Sequence, residues 1–176
     1  MVLSALKHTA LAGVVLVLSA ATAQASTVKI TPLGSHDGEF CVFDRAMIFE
    51  DPDGTRILYD AGRTVAGPDD PRLGAIDVIL VSHMHGDHVG DRHIPSVNAG
   101  ECGKPDVSVA SVPNSNTIDI ALKTGALIVT GSEMPKFFGN KLKALGGDPS
   151  KSQLVRFGGS RTVGGVSITT VPAGHS

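Results

Sequence analysis

Residues 76–91 read IDVILVSHMHGDHVGD, and the two halves of this stretch have opposite characters. Ile76 to Val81 is a nearly continuous apolar run of strand length. Such a run predicts a strand covered on both faces, as strands of parallel sheets are. Just beyond its C-terminal end, three histidines and two aspartates crowd into the eleven residues from Val81 to Asp91. A neutral imidazole offers a nitrogen lone pair and a carboxylate offers oxygens. Together they form a borderline donor set suited to Zn²⁺, and also to iron, manganese or cobalt. The spacing predicts that the chain turns through Gly86, using glycine's backbone freedom, so that His83, His85, Asp87 and His88 converge. This is not the helical H-E-x-x-H arrangement, because His83 and His85 cannot share one helix face. An H-x-H-x-D-H string arises by accident about once in a thousand chains of this composition. The plain alternative is a loop of surface histidines, and the position just past a buried strand favours a metal site.

Working outward, Thr27 to Leu33 alternates polar and apolar residues as a first strand does. GSHDGEF (Gly34 to Phe40) is loop-like. RAMIFE and TRILYD then flank Asp51-Pro52-Asp53-Gly54, which predicts a β-hairpin. C-terminal to the cluster, the pattern predicts a short strand at Val107–Ala110 and a helix capped by Asn116 or Thr117 and running through Lys123. A buried strand comes next at Ala126–Thr130. Over residues 132–145, Met134, Phe137, Phe138, Leu142 and Leu145 form one helical stripe that reads as core, closed by Gly146-Gly147. QLVRF and VSITTVPA are read as two more strands separated by a glycine-rich turn. The class is α+β, with helices packed outside sheets in one domain from Ser26 to Ser176.

Composition narrows the function. The 176 residues include no tryptophan, one tyrosine and a formal net charge of -2. That leaves no basic footprint and few stacking platforms for nucleic acid; a small-molecule substrate is expected, and oligomeric state is not legible. The first 25 residues carry Lys7, an apolar run and Ala23-Gln24-Ala25, the pattern of a secretory signal peptide cleaved after Ala25. The apolar run is short for a membrane span, so no stable span is expected after cleavage, and the protein is expected in the periplasm or outside the cell. Cys41 and Cys102 are left between a disulfide and two partly buried free thiols, with the thiols favoured.

His83-Met84-His85-Gly86-Asp87-His88 resembles the H-x-H-x-D-H signature of the metallo-β-lactamase-fold hydrolases. Asp60-Ala61-Gly62 resembles that family's first motif, and Val171 to Ser176 resembles the strand-end motif that supplies its next histidine. Similarity in GSHDGEF and NSNT points to an exported branch of the superfamily. The resemblance implies an αββα sandwich, incomplete here, with the N-terminal half and part of the second. It implies that His83, His85 and His175 bind one metal and that Asp87 and His88 bind a second, with one or two Zn²⁺ expected. Asp60 would support the ligands from behind. In a one-metal variant Asp87 would orient the water or shuttle its proton. A metal-bound hydroxide would then attack a small ester, lactone, lactam or phosphoester. The family's later aspartate and final histidine find no counterpart before Ser176, so the second metal is expected to be weakly held and hydrolysis low. The competing reading is a truncated, non-catalytic metal-binding protein of the same fold.

Other side chains carry less. By analogy with the family, His36 and Asp37 lie on a loop that overhangs the cleft and would touch substrate. Asp91 and His93 are expected at the surface or at a helix end. Ser111 and Ser115 lack a neighbouring base, so no serine nucleophile is expected.

Overall fold

The computed structural model describes residues 27–36, 41, 42 and 44–173. The expected signal peptide, Asp37 and His175 lie outside the described residues. Along the chain run β1 (Lys29–Pro32), β2 (Met47–Glu50), β3 (Arg56–Tyr59) and β4 (Val78–Leu80), then the single helical turn α1 (Gly86–Val89). The short strands β5 (Arg92–His93), β6 (Gly100–Glu101), β7 (Lys104–Pro105) and β8 (Val109–Ala110) succeed it. Then come α2 (Asn116–Thr124), β9 (Leu127–Thr130), α3 (Met134–Ala144), β10 (Ser152–Leu154), β11 (Ser160–Val163) and β12 (Val166–Thr169).

The main sheet has six strands in the order β1-β2-β3-β4-β9-β10. The β1–β2 and β2–β3 pairs are antiparallel, while β3, β4, β9 and β10 run parallel. Period-two alternation divides the apolar side chains between two faces. Leu58, Ile79 and Ile128 stand in register across β3, β4 and β9. They belong to the core that includes Ile118 and Ile120 of α2 and Phe138 and Leu142 of α3. Ile57, Val78 and Leu127 are the in-register neighbours on the opposite face. They pack with Val163, Val166 and Ile168 of the β11–β12 hairpin. Helices therefore cover one face and a hairpin covers the other, which is why the IDVILV strand reads as apolar throughout. The mixed α+β class is as expected.

Four local expectations change. The helix over 132–145 buries Phe138 and Leu142, but Phe137 and Leu145 are each 44% exposed. The buried line keeps the i, i+4 spacing from Met134, and Phe137 lies about 100° round the helix from Phe138. The cap of α2 is Ser115, whose hydroxyl accepts from the Ile118 N–H, and neither Asn116 nor Thr117. SRTV, read as part of a glycine-rich turn, forms β11; the Gly164-Gly165 pair turns it back into β12, with Gly164 at φ 54°. Cys41 and Cys102 are joined by a disulfide rather than left as thiols. Among the described residues, no helix is long and apolar enough to cross a membrane.

Candidate metal centre

β3 and β4 end side by side, and the centre is built on the residues just past each strand end. After β3, Asp60 adopts φ 48°, a left-handed conformation that aspartate tolerates better than most residues. Its N–H donates to the Leu80 carbonyl (2.8 Å), which fixes the corner against β4. Its carboxylate is fully buried. Oδ1 accepts the Ser82 N–H (2.8 Å), and Oδ2 accepts the Ser82 hydroxyl (2.8 Å). The same Oδ2 lies 2.6 Å from His88 Nδ1. Because an ionised carboxylate only accepts, the proton of His88 belongs on Nδ1 and the lone pair on Nε2. Ser82 Oγ, having donated to Asp60, is left to accept from His83 Nδ1 at 3.0 Å, and this sets His83 in the same tautomer.

Two residues further on, Gly62 lets the corner meet α1. A Cβ there would stand 2.1 Å from the Asp87 carbonyl oxygen, so only glycine allows the approach. α2 holds α1 from the other side. The Asn116 N–H donates to the Gly90 carbonyl (2.8 Å) and Thr117 Oγ1 to the Val89 carbonyl (3.0 Å). Asn116 Nδ2 reaches the Val65 carbonyl (2.8 Å). Gly86 has a role other than the expected one. Its φ is not positive, and the chain continues as a helical turn; what glycine permits is the close approach of the Asp91 carboxylate, whose Oδ1 would lie 2.3 Å from a Cβ.

The histidine stretch gathers its donors at this edge. The His83 ring centroid is 4.6 Å from that of His85 and 4.0 Å from that of His88. His88 Nε2 stands 3.6 Å from Asp87 Oδ2. Two ligand bonds of about 2.0–2.2 Å to one ion span such a gap at an open tetrahedral angle, so this pair suits a single zinc. Among the described residues, no three His, Cys, Asp or Glu side chains are arranged to hold an ion by themselves. Imidazole and carboxylate donors are of the kind that a borderline divalent metal accepts, and His175, the expected further ligand, lies outside the described residues.

The remaining expected residues divide. His36 is half-buried, with Nδ1 buried and lacking a hydrogen-bond partner among the described residues. His93 is buried at 6% exposure, contrary to the surface role expected of it. β5 pairs with β8 and places it inward, where its charge and the Ser111 hydroxyl act on Asp119; burial nevertheless pushes the Asp119 carboxyl above its usual range. Arg45 was not expected at the site, yet its Nε lies 3.8 Å from Asp87 Oδ2. Ser82 was also passed over, although it stands between the buried strand and the first histidine. Next to His83 a cavity of about 460 Å³ opens, walled largely by Leu80, Val129, Met134, Phe157 and Ile168. That volume suits a small, partly apolar ligand.

The fold is a mixed sheet of α+β class with helices on one face, and imidazoles and a carboxylate gather beyond the carboxyl end of β4. The chain belongs to the β-lactamase superfamily domain family, whose pattern matches residues 44–176, as the H-x-H-x-D-H resemblance led one to expect. It is similar to a UPF0173 metal-dependent hydrolase of Cupriavidus taiwanensis, 36% identical over 73 residues, covering 38% of this chain and 25% of that protein. A counterpart from Cupriavidus metallidurans is 37% identical over 71 residues, covering 36% of this chain and 24% of its own length. One from Chelativorans is 31% identical over 98 residues, covering 56% and 30%. The matched stretches thus span 24–30% of the length of these relatives. No solved structure matches the chain significantly.

Proposed function

We propose that this chain carries the metal centre of a zinc-dependent hydrolase acting on a small ester, lactone, lactam or phosphoester. His83, His85 and His175 would hold one ion, and Asp87 and His88 a second. The observation that carries this reading is the fully buried Asp60 carboxylate bonded to Ser82 and His88 directly beneath the histidine edge. Such a partner orients a ligating imidazole and raises its basicity. A bound zinc supplies hydroxide at neutral pH and offsets charge that develops on the reacting oxygen. The chain's own groups do the positioning. Asp60 and Ser82 hold His88 and His83, and the cavity beside His83 receives the apolar part of the substrate; with one ion bound instead of two, Asp87 would orient the attacking water and take its proton. His36 and Asp37, on the segment after β1, would contact substrate. We place the protein outside the cytosol, in the periplasm or beyond. The N-terminal pattern ending at Ala25 supports this, as does the Cys41–Cys102 bond, since disulfides persist in oxidising compartments.

The test is zinc stoichiometry by elemental analysis together with turnover of a panel of esters, lactones, β-lactams and phosphodiesters. Bound zinc and turnover, both reduced in His85→Ala, are expected. A protein that binds zinc but cleaves nothing on the panel would leave the non-catalytic metal-binding reading standing instead. Turnover equal in wild type and His85→Ala would remove the metal centre from the chemistry.

A further inference from the structure

The centre has a cation at its rim that the proposed hydrolytic chemistry does not use. Arg45 sits on the segment that leads into β2, with Nε 3.8 Å from Asp87 Oδ2. That separation is an ion pair without a hydrogen bond, so the guanidinium is not locked onto Asp87. Its other edge is fixed, because Nη1 donates to the carbonyls of Val42 and Asp44 at 3.0 Å each. The backbone beneath it is braced as well. The Asp44 carboxylate accepts the Ser35 N–H (3.1 Å), the Ser35 hydroxyl (3.3 Å) and the Cys41 N–H (2.9 Å). Cys41 is tied to Cys102, and Ala46 on the far side of Arg45 is buried.

Arginine has two donor edges. With Nη1 committed to main-chain carbonyls, the Nε–Nη2 edge is the one turned toward the ligand cluster. That edge is the fork that takes an oxyanion in two parallel bonds. The side chain is 38% exposed, so the edge is reachable from solvent while its position is set by the turn. Because its partner Asp87 also belongs to the proposed ligand set, a cation shared by that carboxylate would leave the guanidinium less fully neutralised.

We propose that Arg45 is the residue that recognises an oxyanion on the substrate, so that the preferred substrates carry a carboxylate or phosphate close to the bond that is cut. This rests on the hydrolase reading. The rival role is a simple counter-charge to Asp87, which would alter zinc affinity but not the choice of substrate.

The experiment compares wild type, Arg45→Gln and Arg45→Lys in zinc affinity and in kcat/KM for neutral p-nitrophenyl butyrate and anionic mono-p-nitrophenyl succinate. Binding of succinate and of inorganic phosphate is tracked through the Arg45 Nε–H resonance in wild type and by calorimetry in all three. In Arg45→Gln the preference for the anionic ester should fall roughly tenfold, through KM, as expected for one charge-assisted contact. Arg45→Lys should recover part of it, and zinc affinity should hold. A preference unchanged in Arg45→Gln, or equal losses on both esters accompanied by lost zinc, overturns the proposal. If neither ester is cleaved, the hydrolase reading is decided by the wider panel of lactones, β-lactams and phosphodiesters, and it fails if none of these is cleaved either. The titrations still decide about Arg45: oxyanions bound as tightly by Arg45→Gln as by wild type overturn its role, and weaker binding supports it. Tighter binding of phosphate than of succinate would assign the phosphate class, and the reverse order the carboxylate class.

Discussion

His88 Nδ1 lies 2.6 Å from Oδ2 of Asp60, a carboxylate with no exposure to solvent. The same group holds the Ser82 N–H and hydroxyl, so one buried charge fixes the main chain and side chains at the start of the histidine loop. Asp60→Asn keeps the size but cannot accept all three contacts, because one of its two head atoms becomes a donor. Zinc affinity should fall about 10- to 100-fold, the usual effect of losing such a support. Stability should drop by about 1–3 kcal/mol from the buried donors left unpaired. Competition against a zinc-sensitive chelator and urea melts measure the two effects. Zinc affinity within twofold of wild type would show that Asp60 serves the fold alone.

Gly62 is the second half of that support. Its missing Cβ leaves room for the Asp87 carbonyl, and backbone atoms on both sides cannot yield as a flexible side chain would. Gly62→Ala should therefore cost about 1–3 kcal/mol, as overpacking does, and should push α1 away from the Asp60 corner. The displacement should weaken zinc binding even though no ligand is changed. Thermal melts and metal titration on the same preparation check this. A variant that melts and binds as wild type would mean that the corner relaxes freely.

Much of this was legible because the patterns are local. The apolar run at Ile76–Val81 marks a strand covered on both sides, and the DPDG turn places the hairpin before it. The histidine spacing then fixes the edge at which donors meet. What the sequence hid depends on partners far along the chain. Gly86 looked like a residue chosen for a turn, but its neighbour is the Asp91 carboxylate. His93 reads as a surface or helix-end residue because it follows the histidine motif too far along to share its convergence, and only the pairing of β5 with β8 turns it inward. Arg45 is an ordinary arginine in sequence, and its significance appears only once its Nε stands 3.8 Å from Asp87 Oδ2. SRTV escaped notice because it carries one apolar residue; the Gly164-Gly165 pair between two valines was the available hairpin signal.

The Cys41–Cys102 bond closes a loop spanning 61 residues. Cross-linking a loop of that size restricts the unfolded chain by an amount worth about 4 kcal/mol in the loop-entropy model. Cys41→Ser with Cys102→Ser should lower unfolding free energy by up to that amount. It should also loosen the turn that presents Arg45, since Cys41 is one of the groups Asp44 holds. Urea melts with and without reductant give the first quantity. Reductant should destabilise the wild type toward the double variant and leave the variant itself unmoved. A double variant as stable as oxidised wild type would show that the bond contributes nothing to the fold.

Asp70 and Arg72 give the fold a predictable acid sensitivity away from the histidine cluster. Arg72 grips the buried Asp70 carboxylate through Nε to Oδ1 (2.9 Å) and Nη2 to Oδ2 (2.6 Å), and its Nη1 reaches the Gly34 carbonyl (2.8 Å). Burial alone would push the carboxyl up. The hydrogen bonds from the Arg72 side chain and from the Ala66 and Arg72 N–H groups, with the Arg72 charge, outweigh burial and leave it below its ordinary 3.8. The folded state then binds this proton less readily than the unfolded chain, so stability rises with pH across the window below 3.8. The contribution is fully present above that window and is lost as pH falls through the folded-state value. Asp70→Asn should cost about 3 kcal/mol at neutral pH, because it strands a largely buried guanidinium. The gap between variant and wild type should narrow steadily once the pH drops below 3.8, where wild-type Asp70 also becomes neutral. Urea melts of both proteins from neutral pH down to strongly acidic buffer measure that gap. A difference that stays constant throughout would mean that Asp70 contributes through shape rather than charge.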